Sequence, residues 1–346
     1  MTTNICAKLA RGIAPCICLM AAISSHVISF AYAQPSPDAK SSPAVVLNGA
    51  GATFPAPLYQ KWIQEYQQKT GVQINYEPIG SGGGIKQIVA KSVDFGAADR
   101  GLDATHIPVP TGLIATPMTI GTVAVIYNIP GIVAGLRLTP QVVAGIYLGK
   151  ITRWNDPRIR VSNKNLKLPD MAIKPMHKAG GSATTDIFTK WLCLNSPEFK
   201  KKIGSGIHVV WVIGLGGKGG PGVAGLVRQI PGSIGYEEYA YVIQNAIPYA
   251  SIRNRFGRFV LPSVESGTAA AKSPASNGFP RDIAGREPKD GYPLSHFTYL
   301  LFYPEVKPEF KAFIRWALTE GVKDEAAMYY SPLPASVTKE ALAAVR

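Results

Sequence analysis

Three glycine-rich loops, at residues 49–55, 80–84 and 178–184, place hydroxyl side chains directly before predicted helices. A glycine-rich turn that leads into a helix leaves several backbone N–H groups directed at one point, and the positive end of the helix dipole attracts an anion there. Ser81 is expected at the N-cap of its helix, where its hydroxyl could bond either the helix or a ligand. Together the three loops could surround one compact oxyanion with N–H and O–H donors.

Asp99 follows a predicted buried strand at residues 93–98, and a carboxylate is an unexpected neighbour for an anion site. Taken alone, the stretch 78–99 is equally consistent with a capped helix and a turn aspartate. Within an anion site, an ionised aspartate only accepts hydrogen bonds, so it can bond an oxyanion only where that oxyanion carries a proton. Phosphate carries a proton at neutral pH, whereas sulfate does not, and an unsatisfied buried polar group can reject the wrong ligand by roughly 10⁴- to 10⁵-fold. Asp99 therefore predicts selection of phosphate over sulfate.

The first residues predict a secreted protein. Lys8 and Arg11 precede an apolar run, and Ala31-Tyr32-Ala33 matches a signal cleavage site, so residues 1–33 are expected to form a secretory signal peptide. The Pro- and Ser-rich segment 34–43 is expected to be a flexible leader. Proline, serine and histidine interrupt the apolar run, which argues against a retained membrane helix.

Composition indicates a globular chain with an anionic ligand. A length of 346 residues, with 46% hydrophobic and 17% charged residues, suits two ordinary domains. Loss of Lys8 and Arg11 with the signal lowers the formal net charge from +14 to +12, which still steers anions toward the protein. The basic residues are scattered, so nucleic acid is not expected as a partner. Cys193 is the one cysteine that follows the signal, and it is expected to be a buried small hydrophobe rather than part of a disulfide.

Apolar periodicity predicts alternating strands and helices, hence an α/β fold that binds ligands at the carboxyl ends of parallel strands. Strands are predicted at 44–48, 72–77, 93–98, 171–176, 209–213 and 294–303, and helices at 58–70, 197–202, 223–229, 234–242 and 310–318, with others after Thr139 and near the C-terminus. The run 113–127, interrupted by Pro117 and Gly121, predicts two strands end to end that cross between domains. Residues 214–220 are predicted to form a surface turn, and residues 263–291 a loop or a short helix with a hinge.

Enzymatic motifs are incomplete. The stretch 214–220 lacks the Ser or Thr that follows Gly-Lys in a P-loop. A secreted hydrolase could use Ser182 or Ser81 as its nucleophile, but neither serine lies in a G-x-S-x-G motif. The histidines after the signal have no metal-binding spacing; they are His106, His177, His208 and His296. The sequence therefore predicts a binding protein that is not an enzyme and that uses no metal or cofactor.

Six blocks of sequence resemble the periplasmic phosphate-binding protein of bacterial ABC importers. They lie in the order of that family at residues 49–62, 79–88, 93–99, 146–154, 213–220 and 231–241. The resemblance implies two α/β lobes joined by crossing strands that act as a hinge, with the ligand between the lobes. It places lobe I at residues 44–118 plus 290–346, and lobe II at residues 119–289.

The resemblance also implies a set of ligand-binding residues. Carried over by position, they are Thr53, Phe54, Ser81, Asp99, Lys178, Ser182, Ala183 and Thr184. The family usually has an arginine and, two residues later, an aspartate where this chain has Lys178 and Gly180, and a glycine in place of Ala183. Lys178 keeps the charge but not the planar two-pronged donor. Arg100 is a candidate for supplying the lost guanidinium, although alternation along the strand favours a surface or hinge role.

The function implied by the resemblance is periplasmic binding of inorganic phosphate. The implied partners are phosphate and an ABC permease with its ATPase, and the protein is expected to be a monomer. The departures at Lys178 and Gly180 leave another oxyanion open as the ligand, such as phosphite, a phosphonate, arsenate or a phosphate ester.

Overall fold

The long strand β4 (Ile114–Tyr127) lies inside a mixed eight-stranded sheet that runs through both halves of the protein. The computed structural model describes residues 45–99, 110–272 and 282–345, which belong to one unit spanning Pro43–Arg346. The predicted signal peptide, the leader and Arg100 lie outside the described residues.

Strands and helices alternate along most of the described chain. The strands are β1 (Val46–Gly51), β2 (Gln73–Glu77), β3 (Phe95–Ala98), β4, β5 (Arg137–Leu138), β6 (Lys174–Lys178), β7 (Leu215–Gly217), β8 (Ser233–Glu238), β9 (Ser251–Arg253), β10 (Phe259–Val260) and β11 (Ser295–Phe302). The helices are α1 (Ala56–Thr70), α2 (Ser81–Val89), α3 (Pro140–Tyr147), α4 (Pro157–Arg160), α5 (Ala183–Asn195), α6 (Pro197–Lys202), α7 (Gly219–Gln229), α8 (Tyr239–Gln244), α9 (Val264–Ala270), α10 (Pro308–Trp316), α11 (Lys323–Ala327) and α12 (Ala335–Ala344), with a π-helical turn at Ala317–Gly321.

The strand order of the large sheet is β2-β1-β3-β11-β4-β8-β6-β7. At one end β1 is parallel to β2 and β3, and at the other end β6 is parallel to β7 and β8. Antiparallel β11 and β4 lie between these two parallel groups. The loops that lead into α1, α2, α5 and α7 therefore all leave from carboxyl ends of parallel strands, which is where α/β sheets bind ligands.

Among the described residues, three groups of buried side chains meet at β4: a first core, a second core, and a smaller third core in which Ala124 and Ile126 pack with α7. Ala115, Met118 and Ile120 of β4 pack into the first core with α1, α2 and α10, whereas Val123 and Val125 pack into the second core with α3 and α5. The chain that enters β11 crosses in the same region, since Leu294 belongs to the second core and Phe297 to the first. The architecture is thus two-lobed α/β with crossing strands, as the sequence predicts.

The crossing segment 113–127 forms one strand, so the prediction of two strands end to end is wrong. The register against β11 shifts between Thr298 and Tyr299, which pair with Thr119 and Pro117. Proline has no N–H to give to the ladder, and a bulge beside it lets the strand continue.

Three other predicted elements differ from the structure. Residues 209–213 form no strand, and the side chain of Val210 is 86% exposed, because a short apolar run does not by itself require burial. Residues 234–242 are not one helix, since their first part is the buried strand β8 and only the rest is α8. The stretch 214–220 contains β7 and the start of α7 instead of a simple surface turn.

Several local predictions are confirmed. Helix α6 spans Pro197–Lys202 as predicted, and strand β11 lies within 294–303. Gly71 ends α1 in the left-handed conformation, with φ of 76°, and the Thr139 hydroxyl caps α3 by accepting the N–H of Val142. Cys193 is a free thiol packed against the second core, but it is half-buried and not fully buried as expected.

Among the described residues, no helix combines the length and apolar character needed to cross a membrane.

Candidate anion-binding cleft

A cleft of about 740 Å³ opens between the first and second cores at the carboxyl ends of the parallel strands. Its first side carries Thr53, the turn before α2 and Asp99, and its second side carries Lys178 and the starts of α5 and α7. The lining residues are Thr53, Pro78, Ile79, Gly80, Ser81, Gly82, Gly83, Lys86, Asp99, Lys178, Gly181, Ser182, Ala183, Thr184, Ile207, His208, Gly219 and Gly220. The structure thus brings seven of the eight predicted site residues to one cleft.

Phe54 is the predicted site residue whose side chain lies elsewhere. The centroid of its ring lies 5.2 Å from that of His296 and 5.0 Å from that of Tyr330. Its carbonyl accepts a hydrogen bond of 2.9 Å from the Tyr330 hydroxyl. Thr53, directly before it, is exposed and lines the cleft. Phe54 therefore anchors the loop to the core while Thr53 faces the cleft.

Ser81 is the first residue of α2, and Gly80, with φ of 88°, is the N-cap. The expectation of Ser81 at the N-cap is therefore wrong by one position. Its Oγ accepts the N–H of Asp99 at 3.1 Å and lies 3.4 Å from Asp99 Oδ2. The Ser81 hydroxyl thus connects the start of the helix to the buried carboxylate.

Asp99 is 3% exposed, and its Oδ1 has no hydrogen-bond partner among the described residues. Burial raises the pKa of Asp99 to about 7, against the hydrogen bond from Ser81 and the positive charge of Lys178, which lower it. A carboxyl group with this pKa exchanges its proton readily near neutral pH. Since Asp99 lines the cleft, a ligand could share that proton with it.

Lys178 ends β6 and points into the protein, with only 8% of its surface exposed. Its ammonium Nζ lies 3.1 Å from Glu237 Oε1 and 3.3 Å from Thr184 Oγ1. Glu237 is 2% exposed, so this is a buried ion pair. The carboxylate partner that the sequence analysis found missing at Gly180 is thus supplied by β8.

The start of α5 leaves several donors near the cleft. Ser182 is the N-cap but makes no side-chain bond to the helix, and its N–H donates to the Ile207 carbonyl at 3.0 Å. Ala183 and Thr184 are the first helical residues, whose N–H groups have no acceptor within the helix. These are the groups that bind anions at helix N-termini.

Two adjacent carboxylates of β8, Glu237 and Glu238, lie behind the second side of the cleft and were missed by the sequence analysis. The Thr184 hydroxyl is 2.8 Å from Glu238 Oε1, and the Glu238 N–H donates to Glu237 Oε1 at 2.9 Å. Burial raises the pKa of Glu238 well above its usual range. The signal available in the sequence was an acidic pair inside an otherwise apolar and aromatic segment, where charged residues are rarely buried without a partner.

Gly219 and Gly220 start α7 and line the cleft, whereas the sequence pattern predicts a surface turn there. A Cβ atom on Gly220 would lie 2.8 Å from both carboxylate oxygens of Glu237. Glycine therefore lets the start of α7 approach Glu237 closely. Among the described residues, the starts of α2, α5 and α7 line the cleft, and the loop that leads into α1 reaches it through Thr53.

Comparison with known proteins identifies the family. The family model described as "PBP superfamily domain" matches residues 38–320 of this chain. The chain is 40% identical over 306 residues to the phosphate-binding protein PstS of Pasteurella multocida, covering 86% of this chain and 89% of that protein. It is 36% identical to PstS of Methanocaldococcus jannaschii, covering 90% of this chain and 88% of that protein.

Solved structures show the same fold at lower sequence identity. A phosphate-binding protein from Stenotrophomonas maltophilia superposes with a TM-score of 0.63 at 19% identity, covering 87% of this chain and 94% of its own. An ABC-type phosphate transport receptor from Vibrio cholerae superposes with a TM-score of 0.58 at 18% identity, covering 84% of this chain and all of its own. The chain is therefore a member of the PBP superfamily and, within it, of the family of PstS phosphate-binding proteins.

Proposed function

We propose that this protein binds inorganic phosphate in the cleft between its lobes and delivers it to an ABC importer. The observation that carries the proposal is the joining of anion donors and one buried acceptor at a single cleft. Thr53, Ser81 and Thr184 bring hydroxyl groups, Lys178 brings an ammonium, and Asp99 brings a buried carboxyl oxygen with no partner among the described residues.

Asp99 supports phosphate as the ligand. A dianion without a proton would place its oxygens against the Asp99 carboxylate, whereas phosphate can donate or receive the shared proton. The pKa of Asp99, raised by burial to about 7, lies close to the range in which phosphate itself gains or loses a proton. Asp99 is therefore proposed as the group that distinguishes phosphate from sulfate.

The remaining donors are assigned by the same geometry. Phosphate oxygens are proposed to accept hydrogen bonds from the hydroxyl groups and from the backbone N–H groups at the starts of α2 and α5. Phe54 and Ala183 are proposed to contribute their backbone N–H groups, and Ser182, whose own N–H is donated to Ile207, its hydroxyl. Lys178 donates from a fixed position because Glu237 holds its ammonium.

The two lobes are proposed to close around the bound ligand by a hinge motion. The predicted division places residues 44–118 plus 290–346 in one lobe and 119–289 in the other. Ala270 and Ala271, of predicted lobe II, pack into the first core, whereas Leu294, of predicted lobe I, packs into the second. We therefore propose that the boundary between the lobes in this part of the chain is not a single position.

Delivery to an importer is supported by the relatives. The Vibrio cholerae protein is described as an ABC-type phosphate transport receptor, and the PstS proteins are described as phosphate-binding. We further propose that the protein acts in the periplasm as a monomer. It delivers phosphate to a permease with its ATPase and performs no chemistry on it.

Calorimetric titration with phosphate, sulfate and methylphosphonate tests the proposed function. We expect phosphate to bind more tightly than sulfate at pH 8, where Asp99 is mostly ionised, because sulfate has no proton to donate to that carboxylate. Equal affinity for sulfate would contradict the role of Asp99, and tighter binding of methylphosphonate would indicate a site retuned to another oxyanion. Incubation with a chromogenic phosphate ester should release no phosphate.

Neighbouring threonines provide a matched control. Thr184→Val should weaken phosphate binding about 10- to 100-fold, the effect of losing a hydrogen bond to a charged group. Thr185→Val removes an equally buried hydroxyl that bonds Tyr236 instead of lining the cleft, so it should leave the affinity unchanged. Similar losses in both variants would point to a general effect on the fold.

A further inference from the structure

The hydroxyl of Thr184 has more neighbours than it can serve in one arrangement. Its Oγ1 lies 3.3 Å from Lys178 Nζ and 2.8 Å from Glu238 Oε1, and the residue also lines the cleft. A threonine hydroxyl has one proton to donate and two lone pairs to accept with. Lys178 can only donate, so it occupies one lone pair.

The protonation of Glu238 then decides what Thr184 offers to a ligand. If Glu238 is ionised, it takes the one proton of Thr184, and the hydroxyl presents only a lone pair to the cleft. If Glu238 is protonated, its own O–H can donate into the second lone pair, and the Thr184 proton is left for the ligand. Only the second arrangement attracts an anion.

We propose that Glu238 acts as a neutral carboxylic acid that donates to Thr184 and thereby directs the Thr184 proton at the bound anion. Glu238 is a positioning residue under this proposal, since it touches Thr184 and not the ligand. The proposal rests on the proposed function, because it assumes that the cleft binds an oxyanion such as phosphate.

The surroundings of Glu238 favour the neutral form. The residue is 8% exposed, and its Oε2 has no hydrogen-bond partner among the described residues. Its own N–H is already donated to Glu237. An ionised carboxylate here would have one oxygen buried without a donor, which is costly, whereas a carboxylic acid needs fewer donors.

The charges that face Glu238 come from several elements. Lys178 on β6 opposes its protonation, whereas Glu237 on β8 and Asp99 after β3 favour it, and the hydroxyl of Tyr330 also faces it. Because Lys178 is already paired with Glu237, it does not neutralise Glu238. Burial, the largest effect, raises the pKa of Glu238 well above its usual range. A bound anion adds negative charge and therefore also raises the pKa of Glu238.

The pair Glu238→Gln and Glu237→Gln tests the proposal with one chemical change at two adjacent positions. Phosphate is titrated into the purified wild type and both variants at pH 7. The side-chain amide introduced by Glu238→Gln keeps a neutral N–H donor for Thr184, so this variant should change the affinity by less than about threefold, less than a lost hydrogen bond. Glu237→Gln removes an anion that pairs with Lys178, so it should change the phosphate affinity by more than Glu238→Gln does. A tenfold or larger gain in affinity for Glu238→Gln would overturn the proposal, since it would mean that an anion had been removed.

Infrared spectroscopy of the phosphate-bound protein reads the proton directly and does not depend on the folding of a Glu238 variant. At pH 7 the wild type, labelled with ¹³C at glutamate carboxyl groups, should show a protonated carboxyl band that Thr184→Val shifts. Glu325, another buried glutamate whose pKa burial raises well above its usual range, should contribute a band that Thr184→Val leaves in place. The absence of any Thr184-sensitive protonated band would overturn the proposal. Failure of the wild type to bind phosphate would instead contradict the proposed function.

Discussion

Glu237→Gln is expected to destabilise the protein free of ligand and to make its stability depend more strongly on phosphate. The exchange keeps the shape of the side chain and an oxygen acceptor, but it leaves the ammonium of Lys178 buried without an opposite charge at 3.1 Å. Breaking a buried pair by removing one partner costs about 3–5 kcal/mol, and the retained acceptor places this case at the lower end, about 3 kcal/mol. For a chain of this size, about 2 °C per kcal/mol predicts a fall of about 6 °C in the melting temperature.

Phosphate should restore part of that loss. A bound anion beside Lys178 supplies the missing negative charge, so ligand binding is linked to stability more strongly in the variant than in the wild type. The assay is thermal unfolding of both proteins at pH 7, without phosphate and at saturating phosphate. The difference in melting temperature between them should be larger without phosphate than with it.

An exposed pair in the same half of the chain serves as the control. Glu198 pairs with Lys150 and Lys202, and it is 38% exposed. Glu198→Gln should therefore cost less than about 1 kcal/mol, as is typical of surface pairs. Equal melting temperatures for the wild type and Glu237→Gln without phosphate would refute the reasoning, because a buried ammonium cannot lose its partner at no cost.

Asp99, His296 and the start of α5 give four further predictions. Asp99→Asn should lower the ratio of phosphate to sulfate affinity, measured side by side by calorimetry. The pKa of Asp99 is about 7 in the folded protein, against an ordinary value of 3.8. Its contribution to stability is therefore present below pH 3.8 and is lost as the pH rises through 7. The unfolding free energy of Asp99→Asn relative to wild type should consequently be higher at pH 8 than at pH 5. The pKa of His296 is lowered by burial to about 3, so its contribution is lost as the pH falls from 6.5 through 3, and His296→Leu should flatten the acid side of a pH–stability curve. Removing the hydroxyl groups of Ser182 and Thr184 together should abolish the phosphate-induced decrease in solution radius measured by X-ray scattering, and an unchanged decrease would contradict closure of the lobes onto α5.

The loops of the cleft could be predicted from the sequence because their features are local. Glycines followed by a hydroxyl and an apolar helical stripe define a turn and a helix start within a few residues, and α1, α2 and α5 begin where these patterns indicate. Asp99 was identified in the same way, as a carboxylate at the end of a short buried strand. These features depend on neighbours along the chain, so one sequence is enough to show them.

The segment 209–213 and strand β8 show where local patterns fail. The first is a short apolar run that is irregular and exposes Val210 and Val212, whereas the second carries two glutamates and is nevertheless a buried strand inside the large sheet. Periodicity does not distinguish them, because burial depends on what else the fold places on top of each run.

The partners of Lys178 and Thr184 were decided by the tertiary structure alone. Strand β6 lies parallel to β8 with Pro175 opposite Ile234, and the same register carried three residues further sets Lys178 beside Glu237. The chain separates Lys178 from Glu237 by 59 residues and Thr184 from Glu238 by 54. The sequence by itself determined which loops could hold an anion, and the sheet order determined which buried acids hold the residues of those loops, because strand pairing joins residues that are far apart along the chain.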